Sequence, residues 1–498
     1  MISKSFFLAF TRLLLACSFF ISCYPANSKK ERNLLTLLSI ASLQNRCNPN
    51  NGSFWVRNLT LSSQSSYCVY STLVASSANM NLYVENGLST NLNYTDVANA
   101  FESNIFPVEK SAFGAPSDIN NDGKITVLIL DIRDGATASS GFVAGFVDPA
   151  SFFSDTPLFS IRSNQREILF MDGVELLRLR DKDLLNGKPD IFLSTLAHEL
   201  QHLIRFQYSE GGDDTWIDEG TSEVSSDLTG YGPQNSRLSC FKGDSSSSCS
   251  GGIGSTSSGS PSLFNWNSNL KNYAYAYSFM KYMYTSSGTN ATDRNAFFSN
   301  TVQGLNGTRA DNAYNFMTLF MNSANFNPTV LSSDNKTAFK KIFASFLGQS
   351  VGYNLQNVYF GNTSVDNIDL VRTTYPFPSE LLVLSSPSPF SAMAKPSSIS
   401  LNPSQVSRIS GTTSGVTSGS GDFVIVSNGS NEFIIFNGDN IGSTTSNSSA
   451  SFDTFETIQY PELNLNTGSE IICPNEHLIK INNIDKVRYN LKLYKREN

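Results

Sequence analysis

Histidine occurs three times in 498 residues, and two of the three stand four positions apart in Ala197-His198-Glu199-Leu200-Gln201-His202-Leu203-Ile204. Residues at i and i+4 project from the same face of an α-helix, so on a helix both imidazoles reach one metal ion. Glu199, one residue round, can then touch a water bound to that ion. This is the geometry of a zinc hydrolase, in which the ion acidifies a water and a neighbouring carboxylate takes its proton. The plainer reading is a helix whose two histidines are merely satisfied polar residues. A hydrolytic zinc site needs a third protein ligand, leaving the fourth tetrahedral position for water. Asp218, Glu219, Glu223 and Asp227, downstream in Asp214-Thr-Trp-Ile-Asp-Glu-Gly-Thr-Ser-Glu-Val-Ser-Ser-Asp227, are the candidates. On a helix entered at about Trp216, Glu219, Glu223 and Asp227 form one stripe. One glutamate can bind the metal while the other accepts the spare N–H of a ligating histidine. Asp218 is turned roughly 100° from that stripe and is better placed to cap the helix start.

The His-Glu-x-x-His motif, followed by Trp216-Ile-Asp-Glu219 with sixteen residues between His202 and Glu219, resembles the gluzincin metallopeptidases. Within them, Ala-His-Glu-Leu-Gln-His-Leu-Ile and Asp-Asp-Thr-Trp-Ile-Asp-Glu are most similar to the hyicolysin-type peptidases. Asp118-Ile-Asn-Asn-Asp-Gly-Lys-Ile-Thr-Val-Leu-Ile-Leu-Asp131, Gly141-Phe-Val-Ala-Gly-Phe146 and Ser163-Asn-Gln-Arg-Glu-Ile-Leu-Phe-Met-Asp172 add to the likeness, which covers about residues 95–350. The resemblance implies a zincin-like fold and peptide-bond hydrolysis on a protein or peptide substrate. It also implies zinc held by His198, His202 and Glu219, with Glu199 as general base. Two departures stand out: Asp218 replaces the asparagine usual before the ligand glutamate, and Gly-Thr-Ser follows it in place of bulkier residues.

Hydrolysis needs a donor for the developing oxyanion, and with no histidine left in this region a tyrosine hydroxyl is the chemical substitute. Asn272-Tyr273-Ala-Tyr275-Ala-Tyr277-Ser-Phe-Met reads as a strongly apolar helix with Tyr273 and Tyr277 on one face. Gluzincin aminopeptidases are similar in placing such a tyrosine at the head of a helix after the third ligand, which points to Tyr273; aromatic core packing is the alternative.

The elements that must position these residues follow from the rest of the chain. With 40% hydrophobic and 15% charged residues there is ample material for two or three globular regions, and a net charge of -7 argues against nucleic acid as a partner. Residues 1–22 read as a secretory signal, with a basic start ending at Arg12 and a short apolar core. The core ends in a small residue before Cys23, resembling a bacterial lipobox, so Cys23 is the candidate lipidation site and the membrane a partner; ordinary cleavage without lipid is the other outcome. Export places the chain in the cell envelope or outside it, where Cys47 with Cys68 and Cys240 with Cys249 can each close a short loop, leaving Cys473 over.

Residues 23–94 read as a tether and a small β-rich part, residues 95–384 as the peptidase domain, and residues 385–498, where Pro, Ser and Thr become dense, as a β-sandwich-like C-terminal domain. The fold class is therefore α+β. A helix from Tyr94 should end before Pro107, and residues 243–262 should be a flexible surface loop of Ser and Gly. Asp118, Asn120 and Asp122 have the spacing of a calcium loop, but Ile129 stands where the closing glutamate belongs, so calcium and a plain Asx-type turn are equal readings. Phe423–Val426 and Glu432–Phe436 read as a hairpin and Val487–Tyr494 as a closing strand; His477 carries no visible role. Against the peptidase stands a different class, a surface-exposed binding lipoprotein whose metal site is vestigial or structural.

Overall fold

The computed structural model describes residues 47–441 except 61–64, 137–140, 156–160, 210–211, 234, 244–248, 250–251, 255–259, 268, 354–356, 362, 366–367, 382–388, 415, 417–421 and 430, and also the pair 471–472. The leader with Cys23, Cys473, His477 and the segment Val487–Tyr494 lie outside the described residues.

Three strands, β1 (Ser53–Arg57), β2 (Ser66–Ser76) and β3 (Met80–Glu85), form an antiparallel meander. β4 (Ile125–Leu130) then runs parallel to β3. After the short β5 (Phe142–Val143), β6 (Gly145–Val147) lies antiparallel to β7 (Ile168–Asp172), giving the sheet order β1-β2-β3-β4-β7-β6. The N-terminal β-rich stretch is thus part of the same sheet as β4 and β7. Every residue of β4 and β7 is buried, as continuous apolar strands covered on both faces must be. Side chains alternate between two cores: Val127, Ile129, Leu169 and Met171 meet the helices, while Leu128, Leu130, Ile168 and Phe170 pack with Phe54, Val56 and Phe146.

The helices follow from recognisable caps. Asn93 opens α1 (Tyr94–Ala100), its side chain accepting from the backbone of Thr95 and Asp96. The helix does not stop at Pro107. It passes through a π-helical turn at Phe101–Ile105 into α2 (Phe106–Ala112), with Pro107 in the first turn after it. α3 (Glu175–Leu185) leads to Asp190, whose Oδ1 accepts from Phe192 and Leu193 and starts α4 (Ile191–Ser209). Then come α5 (Thr215–Leu228), α6 (Asn235–Lys242), α7 (Leu270–Ser286), α8 (Ala291–Gln303), α9 (Ala313–Phe320), α10 (Asn335–Ser350) and α11 (Ile368–Thr374). α4 is buried from Ile191 to Phe206 apart from Leu193, because it lies between the sheet and the other helices.

A second sheet is built from β8 (Asn357–Phe360), β9 (Thr363–Ser364), β10 (Ala392–Ala394), β11 (Val406–Ser410), β12 (Phe423–Ser427) and β13 (Glu432–Asn437), in the order β10-β11-β13-β12-β8-β9. β12 and β13 pair antiparallel as a hairpin. Among the described residues this is one sheet whose inner face (Val406, Val424, Val426, Ile434 and Phe436) joins the helical core, with Phe343 of α10 edge-on to Phe436. It therefore packs on helices where a second sheet had been expected, and it takes in residues 357–364, ahead of the composition change at 385. The pair β14 (Ile471–Ile472) lies parallel to β5. The described chain is mixed α and β with two sheets.

Disulfides join Cys47 to Cys68 and Cys240 to Cys249. The Ser/Gly stretch differs from a surface loop wherever it is described: Gly252–Gly254, Ser260 and Ser262 are buried. Gly254 N–H donates to Pro389 O and Ser260 N–H to Val406 O, and a Cβ on Gly254 would stand 2.8 Å from the Phe390 ring. Small residues here let the chain run against the second sheet.

Asp172, at the end of β7, accepts from Val174 N–H at 3.1 Å and Leu176 N–H at 2.7 Å, capping the start of α3. Burial nevertheless pushes its pKa up to about 7, with Glu175 and Asp134 adding repulsion. A folded-state value above the unfolded one means that Asp172 stabilises the fold fully at pH values below about 4, and that this contribution disappears as pH rises through about 7. Asp172→Asn keeps a neutral acceptor, so thermal melts should show it gaining on the wild type between pH 5 and pH 8, by at most about 4 kcal/mol. Parallel melting curves at the two pH values would mean that Asp172 ionises normally.

Candidate metal centre

α4 and α5 cross so that the two histidines of one helix face a glutamate of the other. His198 Nε2 and His202 Nε2 are 3.0 Å apart, and Glu219 Oε2 lies 3.4 Å from the first and 3.5 Å from the second. Ligand atoms at about 2.0–2.1 Å from a tetrahedral ion stand about 3.3–3.4 Å from one another. The observed triangle is close in size to one face of such a tetrahedron. All three side chains are at most 2% exposed, and Glu219 Oε2 has no hydrogen-bond partner. Around them lie the buried acids Glu199, Asp218 and Glu223 and the buried guanidiniums of Arg205 and Arg237. Burial opposes charge on His202, yet Asp218 and Glu219 outweigh it and hold its pKa well above the usual histidine range. Burial likewise opposes charge on Glu219, and His202 and His198 outweigh it, lowering its pKa.

Glu199 is buried beside this triangle, against β6. Gly145 makes the approach possible: a Cβ there would stand 3.0 Å from Glu199 Cγ and 3.0 Å from Phe170 O. Tyr273, in the first turn of α7, points its hydroxyl at Glu219 Oε1, 3.5 Å away. Its ring is held edge-on by Trp266 at 4.9 Å, and the Arg237 guanidinium lies 4.9 Å from its centroid. Tyr277, one turn on, reaches Asp227 instead, at 3.3 Å, and Lys281 pairs with that same carboxylate.

Two assignments along α5 change. Asp218 does not cap the helix, because the N-cap residue is Asp214. Asp218 Oδ1 lies 3.0 Å from His202 Nδ1, the nitrogen that faces away from the triangle, and Ser222 Oγ is 3.1 Å from the same atom. Glu223, the residue expected to accept from a ligating histidine, lies 3.8 Å from His198 Nδ1, too long for a hydrogen bond, and its Oε1 is taken by Arg237 at 2.9 Å. The angular step separating Asp218 from the Glu219 stripe carries it to the far nitrogen of the second imidazole. Arg205 and Arg237 did not figure in the sequence reading. Arg205 was within reach of it, since it stands three residues after His202 on the same face of α4.

Over 214 residues the chain is 30% identical to the neutral metalloprotease ShpI of Staphylococcus hyicus. The chain is related to a metallopeptidase. The similarity covers 41% of this chain and 45% of that protein, so the chain spans less than half the length of the relative it matches. No family model matches the chain.

The Asp118–Asp122 segment is turned inward on itself. Asp118 Oδ1 accepts from Gly123 N–H at 3.1 Å, Asp122 Oδ1 from Lys124 N–H at 2.8 Å, and Asp122 Oδ2 from Asn120 Nδ2 at 2.8 Å. These bonds are those of an Asx-type turn, and Asn120 Oδ1 has no hydrogen-bond partner. Among the described residues a second group with metal-ligand spacing is Asp131, Asp172 and Glu175, of which Asp172 is committed to its helix cap.

Removing the carboxylate from the triangle leaves two imidazoles, so Glu219→Ala should lose stable metal binding, whereas Glu223→Ala, which removes a partner of Arg237 and not of a histidine, should keep the metal. Metal analysis after dialysis decides between them; full occupancy in Glu219→Ala would move the third ligand to another acid.

Proposed function

We propose that this chain is an exported, zinc-dependent endopeptidase, held to a membrane through a lipid on Cys23. The observation that carries the peptidase reading is the buried triangle of His198 Nε2, His202 Nε2 and Glu219 Oε2 with Glu199 beside it. Two imidazoles and one carboxylate are a donor set that suits zinc and leaves a fourth position open. Zinc bound there would polarise the scissile carbonyl and bring a water towards a pKa of about 7. Glu199 takes the proton of the attacking water and hands it to the leaving amine. Tyr273 swings its hydroxyl from Glu219 to the oxyanion developing on the carbonyl. The similarity to a neutral metalloprotease supports the same reading.

Turnover of an unfolded protein such as casein tests the assignment. Glu199→Gln should keep the metal and lose at least about 100-fold in kcat, the usual scale for a general base. Tyr273→Phe should keep the metal and lose about 100–1000-fold in kcat with little change in KM. Near-normal turnover in Glu199→Gln with metal retained would remove Glu199 from the mechanism, and full activity after exhaustive chelation would overturn the zinc peptidase as a whole. For the anchor, Cys23→Ala should move the protein from the detergent to the aqueous phase of a detergent partition. A variant that stays with detergent carries its anchor elsewhere.

A further inference from the structure

The two histidines of the triangle are supported very unequally. A histidine that binds metal through Nε2 carries its proton on Nδ1, and whatever accepts that proton fixes the ring's tautomer and orientation. His198 Nδ1 has Glu223 at 3.8 Å, and that carboxylate is already engaged by Arg237. His202 Nδ1 has Asp218 Oδ1 at 3.0 Å and Ser222 Oγ at 3.1 Å. The Ser222 hydroxyl has Gln201 Oε1 and the Asp218 backbone carbonyl as its acceptors, and a carboxylate is a stronger acceptor for the His202 N–H than a hydroxyl oxygen.

A buried carboxylate costs free energy unless a positive charge accompanies it. Asp218 is 7% exposed, and Arg205 Nε lies 3.8 Å from its Oδ1. Arg205, 1% exposed, is in turn fixed from outside the motif. Its Nε donates to Asp213 Oδ2 at 2.6 Å and its Nη2 to Ala310 O at 2.8 Å. Asp213 is clamped by both terminal nitrogens of Arg309, whose side chain is 20% exposed. Asp214 N–H donates to Asp311 O at 2.8 Å, closing the same junction through the backbone. α4, the entry to α5 that follows it and the distant residues 309–311 meet behind one imidazole.

We propose that Asp218 is the positioning residue of His202, and that the charge of Arg205, fixed by Asp213 and Arg309, stabilises the Asp218 carboxylate across 3.8 Å, so that metal affinity depends on an ionic chain ending at the surface. The proposal rests on the reading that His198, His202 and Glu219 hold a metal, and deepens it. Glu223 and Arg237, though as buried, stand outside this chain.

The test uses the purified full chain, with zinc affinity measured by chelator competition and the visible spectrum of the cobalt(II)-loaded protein as a second readout. Asp218→Ala should weaken zinc binding about 10–100-fold, the scale for losing a partner behind a ligating histidine, and should shift the cobalt spectrum. Asp218→Asn, which keeps a neutral acceptor, should fall between Asp218→Ala and the wild type, a graded recovery that lost packing alone would not give. If Asp218→Ala fails to fold, Asp218→Asn carries the comparison. In an Arg205→Gln background the Asp218→Asn change should cost several-fold less than in the wild type, because the two act as one unit. A wild type that binds no zinc overturns the metal site itself. A wild type that binds, with Asp218 variants of unchanged affinity and spectrum or with strictly additive effects of Asp218 and Arg205, overturns the positioning chain alone.

Discussion

Two ring nitrogens held 3.0 Å apart in a dry interior, with a carboxylate oxygen closing the triangle, form an arrangement that repels itself unless positive charge sits among the three atoms. Keeping that triangle assembled is the constraint on which the surrounding structure depends. It explains why α4 is buried on nearly all sides and why two guanidiniums, Arg205 and Arg237, are sunk beside it. In water the same groups would turn apart and each find its own solvation; burial denies them that alternative.

The packing that enforces the triangle is made of small residues and hydroxyls. Thr221 accepts from Gln201 at 3.0 Å, Ser226 donates to Ser194 O at 2.7 Å and Ser225 to Ala197 O at 3.3 Å, so α5 is sewn to α4 by side chains short enough to let the helices close up. On its other side Gly220 lets α7 approach: a Cβ there would be 3.2 Å from Ala276 O and 3.3 Å from the Met280 side chain. The Gly-Thr-Ser run after Glu219, out of keeping with a bulkier family pattern, is therefore what brings both Glu219 and Tyr273 within reach of the histidines. Beneath the same layer Glu109 of α2 is fully buried, and burial pushes its carboxyl well above the usual carboxylate range.

Much of the local structure was legible because it is written in short-range chemistry. Asn93 and Asp190 cap helices, the apolar runs Ile125–Leu130 and Ile168–Asp172 are buried strands, and the alternation around residues 423–436 makes a hairpin. The failures share one cause, that a segment's surroundings overruled its composition. Pro107 did not end its helix because a π turn absorbed it, and the Ser/Gly stretch was drawn in because small residues fit against Phe390. The C-terminal strands found α10 and β8 as partners where a second sheet had been expected.

The sequence by itself determined which atoms could share a metal: i and i+4 on a helix place His198 and His202 together whatever else the chain does, and Glu199 beside them. Tertiary structure alone decided the rest of the site, because the crossing of α4 and α5 brings together residues that no local period relates. It chose Glu219 over its helical neighbours for the triangle and gave Asp218, the residue the helical wheel had turned aside, to the far nitrogen of His202. It also sent Glu223 to Arg237 and brought Arg309 from nearly a hundred residues away to Asp213. Periodicity fixes directions within one helix; which group stands at the end of each direction is set by how the helices pack.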